Sequence, residues 1–241
     1  MEAIKKDNKK AVEQLFNAGA HFAYTKARRH PSAKSFIFGA KNKIEIFDLE
    51  KTNEALAKAL SFVTDIGAAR GTILFVGGKN EAREAVIAGA TAVSMPYVAG
   101  RWIGGTLTNF TEIRKRVMKL ETLLTQKEKG ELVKYTKKER LLIDREIDKL
   151  KRFFEGLALL KDRPKALFVI DSKKEHIAVQ EARDLGIPVV ALTGSDCDLK
   201  EVTFPIPAND SSKQSIAFFV GQVADAYKAG LAKGPAPVAA K

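Results

Sequence analysis

The sequence predicts an α/β protein, with a mostly parallel sheet carrying helices on both faces and an inserted antiparallel two-helix arm of coiled-coil-like character. Three observations lead there. Short apolar runs such as "GTILFVGG", "KALFVID" and "IPVVALTG" alternate with amphipathic segments, the rhythm of strand–helix units whose strands are buried on both faces. That rhythm stops between about residues 106 and 155, where Ile113, Val117, Leu120 and Leu124 step by four, three and four. After the polar break "QKEKGELVKYTKKE", Ile143, Ile147, Leu150 and Phe154 repeat the step. Narrow apolar stripes on heavily charged helices suit a pair that packs on itself and projects from the body. Finally, the +12 net charge of the 241 residues is uneven. Met1–Lys43 holds ten Lys/Arg against three Asp/Glu, and Thr111–Arg152 fourteen against eight, so two basic surfaces sit on a nearly neutral scaffold.

Taken in order, "NKKAVEQLFNAGA" reads as an amphipathic helix with Val12, Leu15 and Phe16 on one face, ended by Asn17 or Gly19. "HFAYTKARRHPSAK" has neither period and is expected to be a loop. "SFIFGAKNKIEIFDL" reads as a hairpin turning at "GAKN". "EKTNEALAKALSFVTDIGAA" is a helix with Leu56, Leu60 and Val63 on its inner face, "GTILFVGG" a buried strand, "KNEAREAVIAGATA" a helix and "MPYVAG" a short strand. Beyond the arm, "KALFVID" is a strand, "SKKEHIAVQEARDLG" a helix, and "IPVVALTG" a strand with Pro188 near its first position. "FPIPAND" is extended, and "SSKQSIAFFVGQVADAYKAGLA" is a helix capped by Ser211 or Ser212. Residues 1–105 and 156–230 are expected to form one α/β core, 106–155 the inserted hairpin, and 231–241 a flexible tail.

The composition narrows the function. One cysteine, Cys197, excludes an internal disulfide and any multi-cysteine zinc site. No apolar run approaches a membrane span, and the first residues lack the apolar centre of a signal peptide, so a cytoplasmic protein with no membrane partner is expected. A pI near 9.6 points to an anionic partner, with nucleic acid first.

The enzyme-like motifs do not close. "ILFVGGKN" places Gly77, Gly78 and Lys79 after a strand, but a P-loop needs a glycine where Ile73 stands and a hydroxyl where Asn80 stands. A small phosphorylated ligand at this turn, in an enzyme or binding module, is the alternative reading. Gly100, Gly104 and Gly105 do not match a dinucleotide fingerprint. His21, His30 and His176 are scattered, and Cys197 lies between two acids that disfavour its thiolate. His21, Asp196 and Asp198 make only a weak candidate metal set. No catalytic residues, cofactor or small-molecule substrate are therefore expected.

The basic segments are more specific. Lys26, Arg28, Arg29 and Lys34 interleave with Phe22, Tyr24 and His30, cations for phosphates beside rings for bases. Arg114, Lys115, Arg116 and Lys119 follow one another along a helix, and Lys137, Lys138 and Arg140 repeat the theme on the next. Consecutive cations suit a polyphosphate backbone better than one small ligand. In "GRWIGGTLTNF" the glycines read as a tight bend leaving the sheet, Trp102 as its anchor, and Thr106 or Thr108 as the cap of the next helix.

"GRWIGGTLTNF", "ILFVGGKNEA", "KALFVIDSKKEHIAVQEARDLGIPVVAL" and "IPANDSS" occur in an order that resembles the family of bacterial small-subunit ribosomal protein number two, from about residue 10 to 230. The resemblance implies a flavodoxin-like core with a protruding two-helix arm. It implies binding to small-subunit rRNA, neighbouring ribosomal proteins as partners and, in many bacteria, docking of the large mRNA-binding ribosomal protein number one. With Arg101 added from the bend, the cations named above and His30 are the expected rRNA-binding residues. Near the amino end the chain departs from the family pattern: His21-Phe22-Ala23-Tyr24 stands for His-Phe-Gly-His, and Arg29-His30-Pro31 for Arg-Trp-Asn-Pro. Gly194-Ser195-Asp196 also replaces the usual Asp-Thr-Asn, which weakens any family metal site using that acid.

Overall fold

The computed structural model describes the backbone of residues 2–234 and the side chains of residues 9–234. The chain runs α1 (Glu2–Asn17), β1 (Phe22–Thr25), β2 (Ile37–Lys41), β3 (Ile44–Phe47), α2 (Leu49–Ala68), β4 (Ile73–Val76), α3 (Asn80–Ala92) and β5 (Tyr97–Val98). Then come α4 (Phe110–Glu128), α5 (Lys137–Phe154), β6 (Ala166–Ile170), α6 (His176–Asp184), β7 (Val189–Thr193), β8 (Phe204–Pro207) and α7 (Lys213–Lys233). Five strands form one parallel sheet in the order β5-β4-β6-β7-β8. This is the flavodoxin-like order, and it reverses direction between β4 and β6.

The sheet's two faces follow from the two-residue period of a strand. Ile73, Phe75, Phe168, Ile170, Val190 and Leu192 share a buried cluster with residues of α2, α3 and α7. The alternate residues Leu74, Val76, Leu167, Val169, Val189 and Ala191 share the other cluster with Ala178, Val179 and Ala182 of α6. Phe75 and Phe168, neighbours in register, meet edge to face at 5.5 Å between ring centres. The outermost strand β8 carries Pro205 and Pro207, which an edge tolerates because half its amides face away from the ladder.

The second face also buries part of the arm. Ile113, Val117, Leu120, Ile147, Leu150 and Phe154 belong to one cluster with Trp102, Leu107 and the sheet residues, whereas Leu123, Leu124 and Ile143 nearer the tip are only half-buried. The expected self-contained hairpin is thus a projecting pair whose root is part of the core. Its reason is energetic: each large apolar side chain withdrawn from water contributes about 1.5–3 kcal/mol, and the second face has only the short helix α6 to cover it otherwise.

Several local expectations change. The basic segment contains a strand: β1 pairs antiparallel with β3, which also pairs with β2, giving a separate three-stranded sheet. Side chains alternate too weakly over four residues for the period to be read. The hairpin turns at Asn42–Lys43, with φ of 51° and 66°, the left-handed pair that a two-residue hairpin requires. Phe16 is 58% exposed rather than in the core; it stacks on His21 with ring centres 4.4 Å apart. The helix α6 starts only at His176, because Asp171 turns the chain with φ of 67° and its carboxylate accepts the Lys173 and Lys174 amides. The cap of α4 is Asn109, not Thr106 or Thr108. At the end of the chain α7 continues to Lys233, into the expected tail; residues 235–241 lie outside the described residues.

Candidate nucleic-acid interface

The amino-terminal basic segment is fixed from below by the carboxyl ends of the strands. The Tyr24 amide donates to Ser195 Oγ at 3.0 Å, and the His30 amide donates to the Ser195 carbonyl at 2.8 Å. Tyr24 and Ser211 share a hydroxyl hydrogen bond of 2.6 Å. On this frame the predicted residues divide. Lys26 and Lys34 are exposed, and neither has an ion-pair partner among the described residues. Arg28 lies over the Tyr24 ring, 4.3 Å from its centre, and 3.5 Å from Asp196 while remaining 59% exposed. Arg29 points inward instead, its guanidinium donating to buried Glu45 at 2.7 Å. It therefore braces the small sheet from within. His30 caps the next turn, its Nδ1 2.8 Å from Ser32 Oγ and 3.7 Å from Asp198.

The arm divides in the same way. Arg116, Lys137, Lys138 and Arg140 are exposed, and no ion pair engages them among the described residues. Arg114 is only 27% exposed; it reaches Glu121 of its own helix at 3.9 Å and the Ala158 carbonyl at 3.4 Å, tying α4 to the turn that follows α5. Lys115 pairs with Glu112 at 2.6 Å. Lys119 pairs with Glu146, and Lys127 with Asp144, across the two helices. Exposed pairs of this kind stabilise little but favour one register of the hairpin. At the tip, Gly130 ends α4 with φ of 73°, and Thr136 with Glu139 forms a reciprocal capping box that starts α5.

The bend joining sheet and arm is organised by a residue that sequence reasoning missed. Glu181 of α6 accepts hydrogen bonds from Trp102 Nε1 (3.1 Å), Gly105 N (2.8 Å), Leu107 N (2.9 Å), Thr108 N (3.1 Å) and Thr108 Oγ1 (3.2 Å). Burial opposes its ionisation, but the donors outweigh burial and hold its carboxyl below the ordinary glutamate value. Trp102 is 5% exposed and Gly105 adopts φ of 90°, in keeping with the expected anchor and bend. A signal was present: Glu181 falls on the same helical face as buried Ala178 and Ala182, where a carboxylate demands partners. Arg101, beside the anchor, is exposed.

The crevice at the switch between β4 and β6, where flavodoxin-like folds place ligands, is filled by the chain itself. Lys79 Nζ lies 2.8 Å from Asp171 Oδ2 and 2.8 Å from Asp210 Oδ2, and it also donates to the Asp210 carbonyl at 3.1 Å. Burial would lower the ammonium's pKa, but the two carboxylates outweigh it and raise the pKa well above the usual lysine value. The Gly78 amide, the natural phosphate donor of such a turn, donates instead to Glu175 Oε1 at 3.1 Å. A Cβ on Gly78 would stand 2.3 Å from that oxygen and 2.9 Å from the Gly100 carbonyl, so close packing explains this glycine.

The weighed metal set does not assemble. His21 stacks between Phe16 and Phe22, with burial lowering its pKa. Asp196 faces Arg28 and Lys173, and Asp198 faces His30. Asp171, Cys197 and Asp210 do lie with ligand atoms within 4.8 Å of one another. Lys79 already bridges both carboxylates with its ammonium, and burial, followed by the Asp171 charge, pushes the Cys197 thiol up to about 12. Among the described residues no helix is long and apolar enough to cross a membrane.

The family model described as "Ribosomal protein S2" matches residues 15–230. "Small ribosomal subunit protein uS2" of Nocardia farcinica is 44% identical over 231 residues, covering 93% of this chain and 81% of the relative. The proteins of the same name from Acidothermus cellulolyticus and Sulfurimonas denitrificans are 43% and 42% identical over 221 residues each, covering 91% and 92% of this chain and 80% and 85% of their own lengths. With the core, the bend and the arm all inside the matched span, the chain belongs to the ribosomal protein S2 family.

Proposed function

We propose that this protein is a structural, non-catalytic constituent of the small ribosomal subunit that binds rRNA and supports subunit assembly and translation. It works in the cytoplasm as part of the ribosome, with neighbouring ribosomal proteins as its other partners. One observation carries the reading: the family match spans the basic loop and the arm, while the cation and amide of the strand-end turn are consumed by Asp171, Asp210 and Glu175. The same consumption counts against the small-phosphate alternative, since Lys79 has no charge left to offer a ligand.

In this reading Lys26, Arg28 and Lys34 on the loop, with Arg101, Arg116, Lys137, Lys138 and Arg140 along the arm, hold rRNA phosphates. Arg29 and Arg114 support them from within. Lys115 and Lys119 exchange their carboxylate partners for phosphates, and His30 shapes the loop. Docking of the large mRNA-binding protein number one rests on the family resemblance alone, and copurification of the two proteins tests it. The direct test of the main reading is co-sedimentation with small subunits through a salt wash. Full-length chain should stay with the subunit, and release at low salt would contradict the assignment.

A further inference from the structure

Beside the root of the arm, a cleft of about 70 Å³ opens between three elements. Its wall is made by Arg83 of α3, Tyr97 of β5 with the following Gly100 and Arg101, and Lys151 and Arg152 at the end of α5. Four cations thus converge from three separate segments, and Glu155 is the single acid in the lining. None of the four cations has an ion-pair partner among the described residues, although Arg152 lies 5.6 Å from the centre of the Phe153 ring. The carboxyl end of α5 adds about half a negative charge, which leaves the site roughly two and a half charges positive. Arg83, Arg101 and Arg152 are exposed and Lys151 is half-buried, so these cations stay open to a ligand, unlike the inward-facing Arg29 and Lys79, which carboxylates engage.

We infer that this cleft seats one backbone phosphate of RNA, held by Arg83, Arg101, Lys151 and Arg152. The inference rests on the rRNA-binding reading and assigns to it three residues, Arg83, Lys151 and Arg152, that are not among the expected rRNA-binding residues. A phosphodiester is the matching chemistry because the cleft gathers donors and offers little to read a base: guanidinium forks fit phosphate oxygens. Burial, followed by the Glu155 charge, raises the Tyr97 hydroxyl's pKa, so at neutral pH it stays protonated and adds a neutral donor. The cleft also lies on α5, the helix that bears Lys137, Lys138 and Arg140 near its other end, so one RNA strand following the arm meets both.

The test measures binding of the full chain to small-subunit rRNA as a function of salt. It compares wild type, the double variant Arg83→Gln/Lys151→Gln, and the arm-tip control Lys137→Gln/Lys138→Gln. Losing one phosphate contact lowers the log–log salt slope by about 0.7 to 0.9, and the cleft variant should show a drop of that size with an unchanged melting temperature. Wild type that fails to bind rRNA with a steep slope overturns the functional reading itself. A steep wild-type slope left intact in the cleft variant overturns the cleft assignment alone. In that case, a wild-type thermal shift with inorganic pyrophosphate at fixed ionic strength, absent from the variant, assigns the cleft to small anions. Lost retention on intact subunits assigns it to an acidic segment of a neighbouring protein.

Discussion

Single residues decide which charges face outward. Arg29 and Lys26 are three positions apart in one basic run, yet Arg29 is paired with buried Glu45 and Lys26 is exposed. Arg29→Ala leaves the Glu45 carboxylate buried without its partner. We expect a loss of about 1–3 kcal/mol in denaturant unfolding, below the full cost for a wholly buried pair because Arg29 is partly solvated. Lys26→Ala should leave stability unchanged and weaken rRNA binding. Equal stabilities for the two variants would contradict the division. Glu181 is the other decisive residue. Glu181→Ala strips the bend of its shared acceptor and should cost about 2–3 kcal/mol. Its folded-state pKa is depressed, so its contribution is complete above the ordinary glutamate value and is lost as pH falls through the folded value. Wild type should therefore lose stability on acidification more steeply than Glu181→Gln, as thermal melts across that window will show.

At the scale of elements, the arm is a coiled-coil-like pair at its tip and a core element at its root. Thr136→Ala removes the hydroxyl of the capping box and should cost about 1 kcal/mol, seen as faster amide exchange in the first turn of α5, with the sheet unaffected. Uniform loss of protection across the sheet would mean the tip is not separable from the root. The arm's stripes were legible because eight apolar residues at heptad-like steps stand out from a charged background. That the root joins the second face of the sheet was not legible, because the same stripe serves a partner helix and a sheet alike. The strand β1 was hidden for a related reason: over Phe22–Thr25 its pairing with β3 is a long-range contact that local period does not encode. Boundaries set by buried polar groups, such as the late start of α6 behind Asp171, were equally invisible.

Across the whole molecule, the parallel sheet was foreshadowed by strand–helix alternation and by central strand runs apolar at every position, the mark of burial on both faces. The candidate site was half legible. Clustered cations pointed to the loop and the arm, but charge in sequence does not say which cations are already neutralised by the fold. Only three-dimensional pairing separates Arg29, Arg114 and Lys79 from Lys26, Arg116 and Lys137, and only convergence from distant segments brings Arg83, Arg101, Lys151 and Arg152 together. Lys79 in turn holds the crevice closed. Lys79→Met leaves Asp171 and Asp210 uncompensated and should cost about 3 kcal/mol, without reducing the affinity of the folded protein for rRNA.

The most direct test of the account is the retention of the folded chain on small ribosomal subunits over rising salt, for wild type and for Lys26→Gln/Arg116→Gln/Lys137→Gln/Lys138→Gln. The account predicts tight retention of wild type with steep salt dependence. It predicts early release of the variant, at unchanged stability and with a slope smaller by up to about 0.9 for each lost phosphate contact. Identical retention curves for the two proteins would contradict it.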